Sequence, residues 1–352
     1  MKKRNMLISL LILILSIGLI GCGSNDTKDS DDKDTKTEEK SSVDLGMLKL
    51  TSSAPLFIAI EKGFFEEENI EVNVEWFDAA QPIAVATTGG SIDVGATGIT
   101  ASLYNMVAGG EDLLIVADKG REQEGYSSTA LMVPKNSSIE NIEDLKGKDI
   151  GITQTGSTFH YMAGRILEEH GLSTDDVNLV PLNSIPGLME TLESEKVDAV
   201  LLNEPNITRV VNDDYGKIIA QVGDEIEYQT SGLFFSKRFS ENEDVAHRFL
   251  KAYIKATQYY YDAVLIKEDD EIMPGENYDE VINIIAEYTD QETDIIKEGL
   301  PYMDRNGELL SSDIQTQIDW YYKEGLIEQT MDANDIINPD LHKKALEDLG
   351  DE

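Results

Sequence analysis

Residues 149–170 read DIGITQTGSTFHYMAGRILEEH. The first five residues alternate apolar with small or polar positions, as a short strand does, and Thr155-Gly156-Ser157-Thr158 supplies a glycine and hydroxyl groups suited to a turn and a helix cap. From Thr158 to His170 apolar residues recur at helical spacing, so the stretch predicts strand, turn and helix. The unit repeats on both sides. A strand over 177–181, a helix over 186–193 and a strand over 199–202 follow it; upstream, 45–50, 54–68, 70–77, 83–89 and 94–96 keep the same rhythm. Alternation of this kind predicts parallel sheets covered by helices, and its restart in mid-chain predicts two α/β lobes. Residues 44–131 with 236–352 are expected to form lobe 1 and 132–235 lobe 2, with 131–134 and 232–236 as candidate crossing strands. Beyond Glu241 the pattern is helical, with Tyr253, Tyr259, Tyr260 and Tyr261 clustered.

The chain opens Met1-Lys2-Lys3-Arg4, runs apolar from Met6 to Ile20, and then presents Gly21-Cys22, which is the pattern of a bacterial export signal over 1–21. The apolar run falls short of the ~20 residues a bilayer-spanning helix needs. Cys22 is the sole cysteine, and at this boundary it resembles the lipidated residue of a bacterial lipoprotein, anchored on the extracytoplasmic face of the cell membrane. Disulfides, cysteine metal sites and thiol catalysis further along are thereby excluded. Residues 24–42, SNDTKDSDDKDTKTEEKSS, hold no apolar side chain, so 22–43 is expected to be a flexible tether.

With 29 basic against 68 acidic residues and a formal net charge of -39, nucleic-acid binding is excluded in practice. The four histidines, His160, His170, His247 and His342, are scattered; no metal site, cofactor or catalytic residue is expected. No Gly-x-Ser-x-Gly elbow is present.

Ligands of parallel sheets bind beyond the carboxyl ends of the strands, where helices present unpaired amides. Four turns carry suitable residues: Thr51-Ser52-Ser53-Ala54-Pro55, Thr97-Gly98-Ile99-Thr100, Thr155-Gly156-Ser157-Thr158 and Asn203-Glu204-Pro205-Asn206. Converging helix starts favour an oxyanion. Alternatively each hydroxyl merely caps its own helix, and Glu204 either accepts from a ligand amine or caps. Phe159 and His160 are well placed as an aromatic wall, whereas Trp76, Phe77 and Tyr126 at their spacings suit a core as well. Lys119 and Arg121 are candidate cations for an anion, or surface charges.

Glu61-Lys62-Gly63-Phe64-Phe65 closing a strand-turn-helix, GSIDVGATG over 90–98, DLKGKDIG over 144–151, and Lys196-Val197-Asp198-Ala199 ahead of Glu204-Pro205 together resemble the nitrate/sulfonate/taurine class of importer binding proteins, over about Asp44 to Leu349. The resemblance implies a type II periplasmic-binding-protein fold, α/β, with two lobes joined by two crossing strands and closing around the ligand by hinge motion. It implies ligand contacts at Ser52, Ser53, Thr97, Gly98, Gly156, Ser157, Thr158 and Glu204, to which the reading of the residues adds Phe159. It further implies delivery to the membrane permease and ATPase subunits of an ABC importer by a monomer that is not itself an enzyme. A small organic anion of the sulfonate, taurine or carboxylate class is the expected ligand; a thiamine-precursor pyrimidine or other heteroaromatic is the alternative, and a non-transport surface lipoprotein a third.

Overall fold

The structure is a computed structural model that describes residues 40–269 and 271–350. The export signal, Cys22 and the tether up to 39 lie outside the described residues. Strands β1 (Ser41–Met47), β2 (Ile70–Trp76), β3 (Val94–Gly98) and β4 (Leu113–Glu122) build one sheet; β5 (Thr129–Pro134), β6 (Asp149–Ile152), β7 (Asn178–Pro181), β8 (Ala199–Asn203) and β9 (Gly216–Gln221) build a second; β10 (Tyr228–Ser236) returns to the first. The spatial orders are β2-β1-β3-β10-β4 and β7-β6-β8-β5-β9.

The two sheets follow one plan. In each, the strand that arrives from the other sheet sits fourth and runs against its neighbours: β10 is antiparallel to β3 and β4, and β5 to β8 and β9. The remaining pairs are parallel. Strands covered on both faces must be apolar throughout, and β5 is buried at all six positions while β8 is buried at its first four. Between the sheets the chain passes at 123–128 and 222–227. The segments expected as crossings therefore lie elsewhere: 131–134 is interior to β5 and 232–236 to β10, because their apolar side chains complete sheet cores rather than bridge them. Likewise Ser41 and Ser42, expected in the tether, already belong to β1, whose pairing with β2 begins at Ser41.

Helices α1 (Ala54–Glu61), α2 (Phe64–Glu67), α3 (Ala80–Thr88) and α4 (Ala101–Ala108) serve the first sheet; α5 (Thr158–Glu169), α6 (Ile185–Glu193) and α7 (Asn206–Asn212) serve the second; α8 (Val222–Glu225) lies on the second passage. The approach of α3 to β3 is so close that a methyl group on Gly95 would lie 2.3 Å from Thr87 Oγ1. Helices α9 (Lys237–Glu241), α10 (Glu243–Val264), α11 (Tyr278–Thr289), α12 (Thr293–Lys297), α13 (Ser311–Lys323) and α14 (Pro339–Gly350) complete the chain. The 22-residue α10 packs on α1 and α14 in the core of the first lobe.

Helix α13 sits where the two lobes meet. Its Ile314, Ile318, Trp320 and Tyr321 join a core shared by both lobes, where Tyr321 meets Tyr104 of α4 and Tyr161 of α5, and Trp320 lies against Gly164 of α5. Asp313 at its start accepts from the Gln229 amide of β10 at 2.8 Å, and Gln317 accepts from the Tyr104 hydroxyl at 3.0 Å. Helix α13 thus holds to α4 and β10 on one side and reaches α5 of the second lobe through Trp320 and Tyr321 on the other.

Candidate functional site

The carboxyl ends of β1, β3, β6 and β8 face one another across a cleft between the sheets, which encloses a cavity of about 330 Å³. Leu48, Thr51 and Ser52 reach it from the turn after β1, Thr97 and Gly98 from the end of β3, Thr158, Phe159 and Met162 from α5, and Asn203, Glu204 and Asn206 from the turn after β8.

Of the nine residues expected at a ligand, six line this cavity: Ser52, Thr97, Gly98, Thr158, Phe159 and Glu204. Ser53, Gly156 and Ser157 do not, for separate reasons. The buried Ser53 turns its hydroxyl inward and donates to the Leu48 carbonyl at 2.9 Å. Ser157 caps α5, accepting from the His160 amide at 3.3 Å. Gly156, at φ +77°, brings its backbone close to the opposite lobe rather than to the cavity: its carbonyl accepts from the Ala101 amide at 3.1 Å, and a methyl group there would stand 3.0 Å from Ala101 Cβ. The start of α4, expected to offer a free amide, is therefore spent on an interlobe hydrogen bond. Gly156 N donates to His160 Nδ1 at 2.9 Å, and burial lowers the pKa of that imidazole, so His160 serves the turn.

Glu204 lines the cavity, but its carboxylate caps α7: Thr208 donates to it from the amide at 3.0 Å and from the hydroxyl at 3.1 Å. Burial raises its pKa and the Thr208 donors oppose the rise. On its other side the 297–301 segment closes over it, since a methyl group on Gly299 would lie 2.1 Å from Glu204 Cβ. Gly299, Pro301 and Gln291 all line the cleft, with Gln291 Oε1 buried and unpartnered. No local pattern in the sequence marks these three, which arrive through tertiary packing.

Strand β4 carries the charge. Lys119 is fully buried, lines the cavity, and donates to Ser52 Oγ at 2.9 Å. No carboxylate lies within ion-pair distance of it among the described residues. Burial lowers its pKa from 10.5 to about 7, opposed by the neighbouring Asp118 charge. Asp118 itself is committed elsewhere, accepting from the amides of Gly120 at 2.6 Å and Asp304 at 2.7 Å and from Gln229 Nε2 at 2.7 Å. Glu122 also borders the cavity, and Ser127 Oγ, Ser128 N, Ser128 Oγ and Thr129 Oγ1 all donate to it, which ties the first passage between sheets to β4. Arg121 leaves the cleft: its guanidinium lies 5.2 Å from the Tyr302 ring and 3.7 Å from Asp304. Tyr126 packs on Tyr302, and Trp76 on Phe57 and Tyr288, so neither forms a cleft wall. Thr97 borders the cavity and is buried, with its hydroxyl oxygen sealed from solvent and without a hydrogen-bond partner.

No group of three or more metal-ligating side chains occurs among the described residues. The family model described as NMT1-like matches residues 36–271. The chain belongs to the NMT1-like family. A Bacillus subtilis (strain 168) protein whose name assigns it to aliphatic sulfonate binding is 25% identical over 356 residues, 98% of each chain. The periplasmic aliphatic sulphonate binding protein SsuA from Escherichia coli superposes with a TM-score of 0.69 at 19% identity, over 86% of this chain and 93% of its own. The periplasmic nitrate-binding protein NrtA from Synechocystis PCC 6803 gives 0.67 at 17% identity, over 88% and 89%. At these identities the two structures establish the fold this NMT1-like chain adopts, a periplasmic-binding-protein fold with two mixed sheets.

Proposed function

We propose that this protein is the extracytoplasmic solute-binding component of an ABC importer, anchored through lipid on Cys22, which captures a small organic anion between its lobes and hands it to the permease and its ATPase. It acts as a monomer and catalyses nothing. The observation that carries the reading is the cavity of about 330 Å³ at the carboxyl ends of both sheets, bordered by hydroxyls from either lobe, with the buried Thr97 hydroxyl unpartnered. The sulfonate and nitrate names of the related proteins support an oxyanion. Leu48, Phe159, Met162 and Ile185 on the walls support an organic body on that anion rather than a bare inorganic ion.

A heteroaromatic ligand paired through Glu204 finds less support, because each carboxylate oxygen already accepts from Thr208. The test is a thermal-shift panel of sulfonates, nitrate, carboxylates, thiamine precursors and nucleobases on the full chain, unfolded and refolded beforehand. A ligand at ~100 times its Kd adds about 2.7 kcal/mol of stability, read as a midpoint several degrees higher. Stabilisation by organic anions is expected. A response confined to uncharged heterocycles, or none at all, refutes the proposal.

A further inference from the structure

Among the described residues the cavity is lined by one cation and two carboxylates, and the cation has the fewest partners. Glu122 has its four donors and Glu204 its two, whereas the Lys119 ammonium, with three hydrogens to give, has Ser52 Oγ alone. No carboxylate lies within ion-pair distance of this buried ammonium among the described residues, and a buried charge gains most from a counter-ion in direct contact. Around it, Ser52 from the turn after β1 and Thr230 and Ser231 from β10 are uncharged; the carboxylates of Asp118, Glu122 and Glu204 lie beyond ion-pair distance and hold hydrogen bonds of their own, Asp118 acting on the ammonium only through its charge.

We propose that Lys119 makes this cleft select a singly charged organic anion, and that the anion is captured together with a proton which Lys119 takes up. The inference rests on the anion-binding reading above and adds to it the residue, the charge state and the proton. A second negative charge on the ligand would find no second cation among the lining residues and would face Glu122 and Glu204. A neutral ligand would leave the ammonium unpaired or force it to stay an amine. In the unliganded chain burial holds Lys119 near neutrality, titrating at about 7, and an anion beside it favours the charged form, so a proton moves from solvent to the amine as the anion binds. Affinity is then level below about pH 7 and falls as pH rises above it.

The experiment is calorimetric titration of the full chain with butane-1-sulfonate, its uncharged counterpart butane-1-sulfonamide, and butane-1-phosphonate, which is doubly charged at about pH 9. The sulfonate is expected to bind roughly 10- to 100-fold more tightly than either of the others, and Lys119→Met to bring all three within about 3-fold. In the unmodified chain at about pH 8 the binding enthalpy is expected to differ between phosphate and Tris buffers in proportion to the proton taken up, a readout that needs no variant. The inference is overturned if Lys119→Met keeps the preference for the sulfonate, if phosphonate binds as well as sulfonate at about pH 9, or if the enthalpy is independent of buffer. If none of the three binds the unmodified chain, the anion reading falls with it; the three preceding outcomes leave that reading standing.

Discussion

Replacing Lys119 by methionine should stabilise the empty protein while disabling it. The substitution keeps an unbranched chain in a fully buried position and removes the amine. A lysine whose pKa falls from 10.5 to about 7 on folding destabilises the folded chain by about 5 kcal/mol below pH 7, at ~1.4 kcal/mol per tenfold. Loss of the hydrogen bond to Ser52 returns about 1 kcal/mol of that. Above pH 7 the folded lysine is an amine while the unfolded one still holds its proton, so the unmodified chain gains stability as pH rises from about 7 toward 10.5. By about pH 9 the penalty has fallen to about 2 kcal/mol. Urea unfolding of both proteins at about pH 6 and about pH 9 should therefore show the variant the more stable at the lower pH, with the difference narrowing by about 2–3 kcal/mol at the higher. Other titrating groups occur in both proteins and cancel. A variant less stable than its parent at about pH 6, or a difference that ignores pH, would refute the electrostatic account of Lys119.

The Thr97 hydroxyl, buried and unpartnered, predicts that Thr97→Val raises the melting point of the empty chain by the equivalent of about 1 kcal/mol and weakens anion binding roughly 5- to 10-fold by calorimetry. At the other end of the cleft, Gly299→Ala places a methyl group 2.1 Å from Glu204 Cβ and should separate the 297–301 segment from the second lobe, lowering affinity about 10-fold and enlarging the radius seen by X-ray scattering. Gly164→Ala drives a methyl group to 2.1 Å from the Trp320 ring and should lower stability by about 1–3 kcal/mol in urea.

Much of the fold was legible because its signals are local. The order of strands and helices, the turn at 155–158 and the helix after it follow from periodicity and cap residues, although the first strand runs 41–47 rather than 45–50; six of nine expected residues line the cavity because strand ends of parallel sheets point there. What was not legible depends on tertiary geometry. Gly156 reads as room for a ligand but makes room for Ala101, a residue 55 positions earlier whose approach no local pattern announces. Ser53 and Glu204 have the right chemistry at the right turn, yet the Leu48 carbonyl and Thr208 reach them first. Lys119 and Arg121, two apart, would share a face of a regular strand; the irregularity at Gly120 (φ +146°), where the β4–β10 register shifts, leaves the first in the cleft and the second on Tyr302. The aromatic residues of α13 meet Tyr104 of one lobe and Gly164 and Tyr161 of the other, contacts that only tertiary packing brings about.

The most direct test of the central claim is a crystal structure of the protein with butane-1-sulfonate. The sulfonate is expected in the interlobe cavity, with an oxygen about 2.7–2.9 Å from Lys119 Nζ, another accepting from Thr97 Oγ1, and the alkyl chain against Phe159. A ligand bound outside the cleft, or one inside it whose sulfonate leaves Lys119 bonded to Ser52 alone, would contradict it.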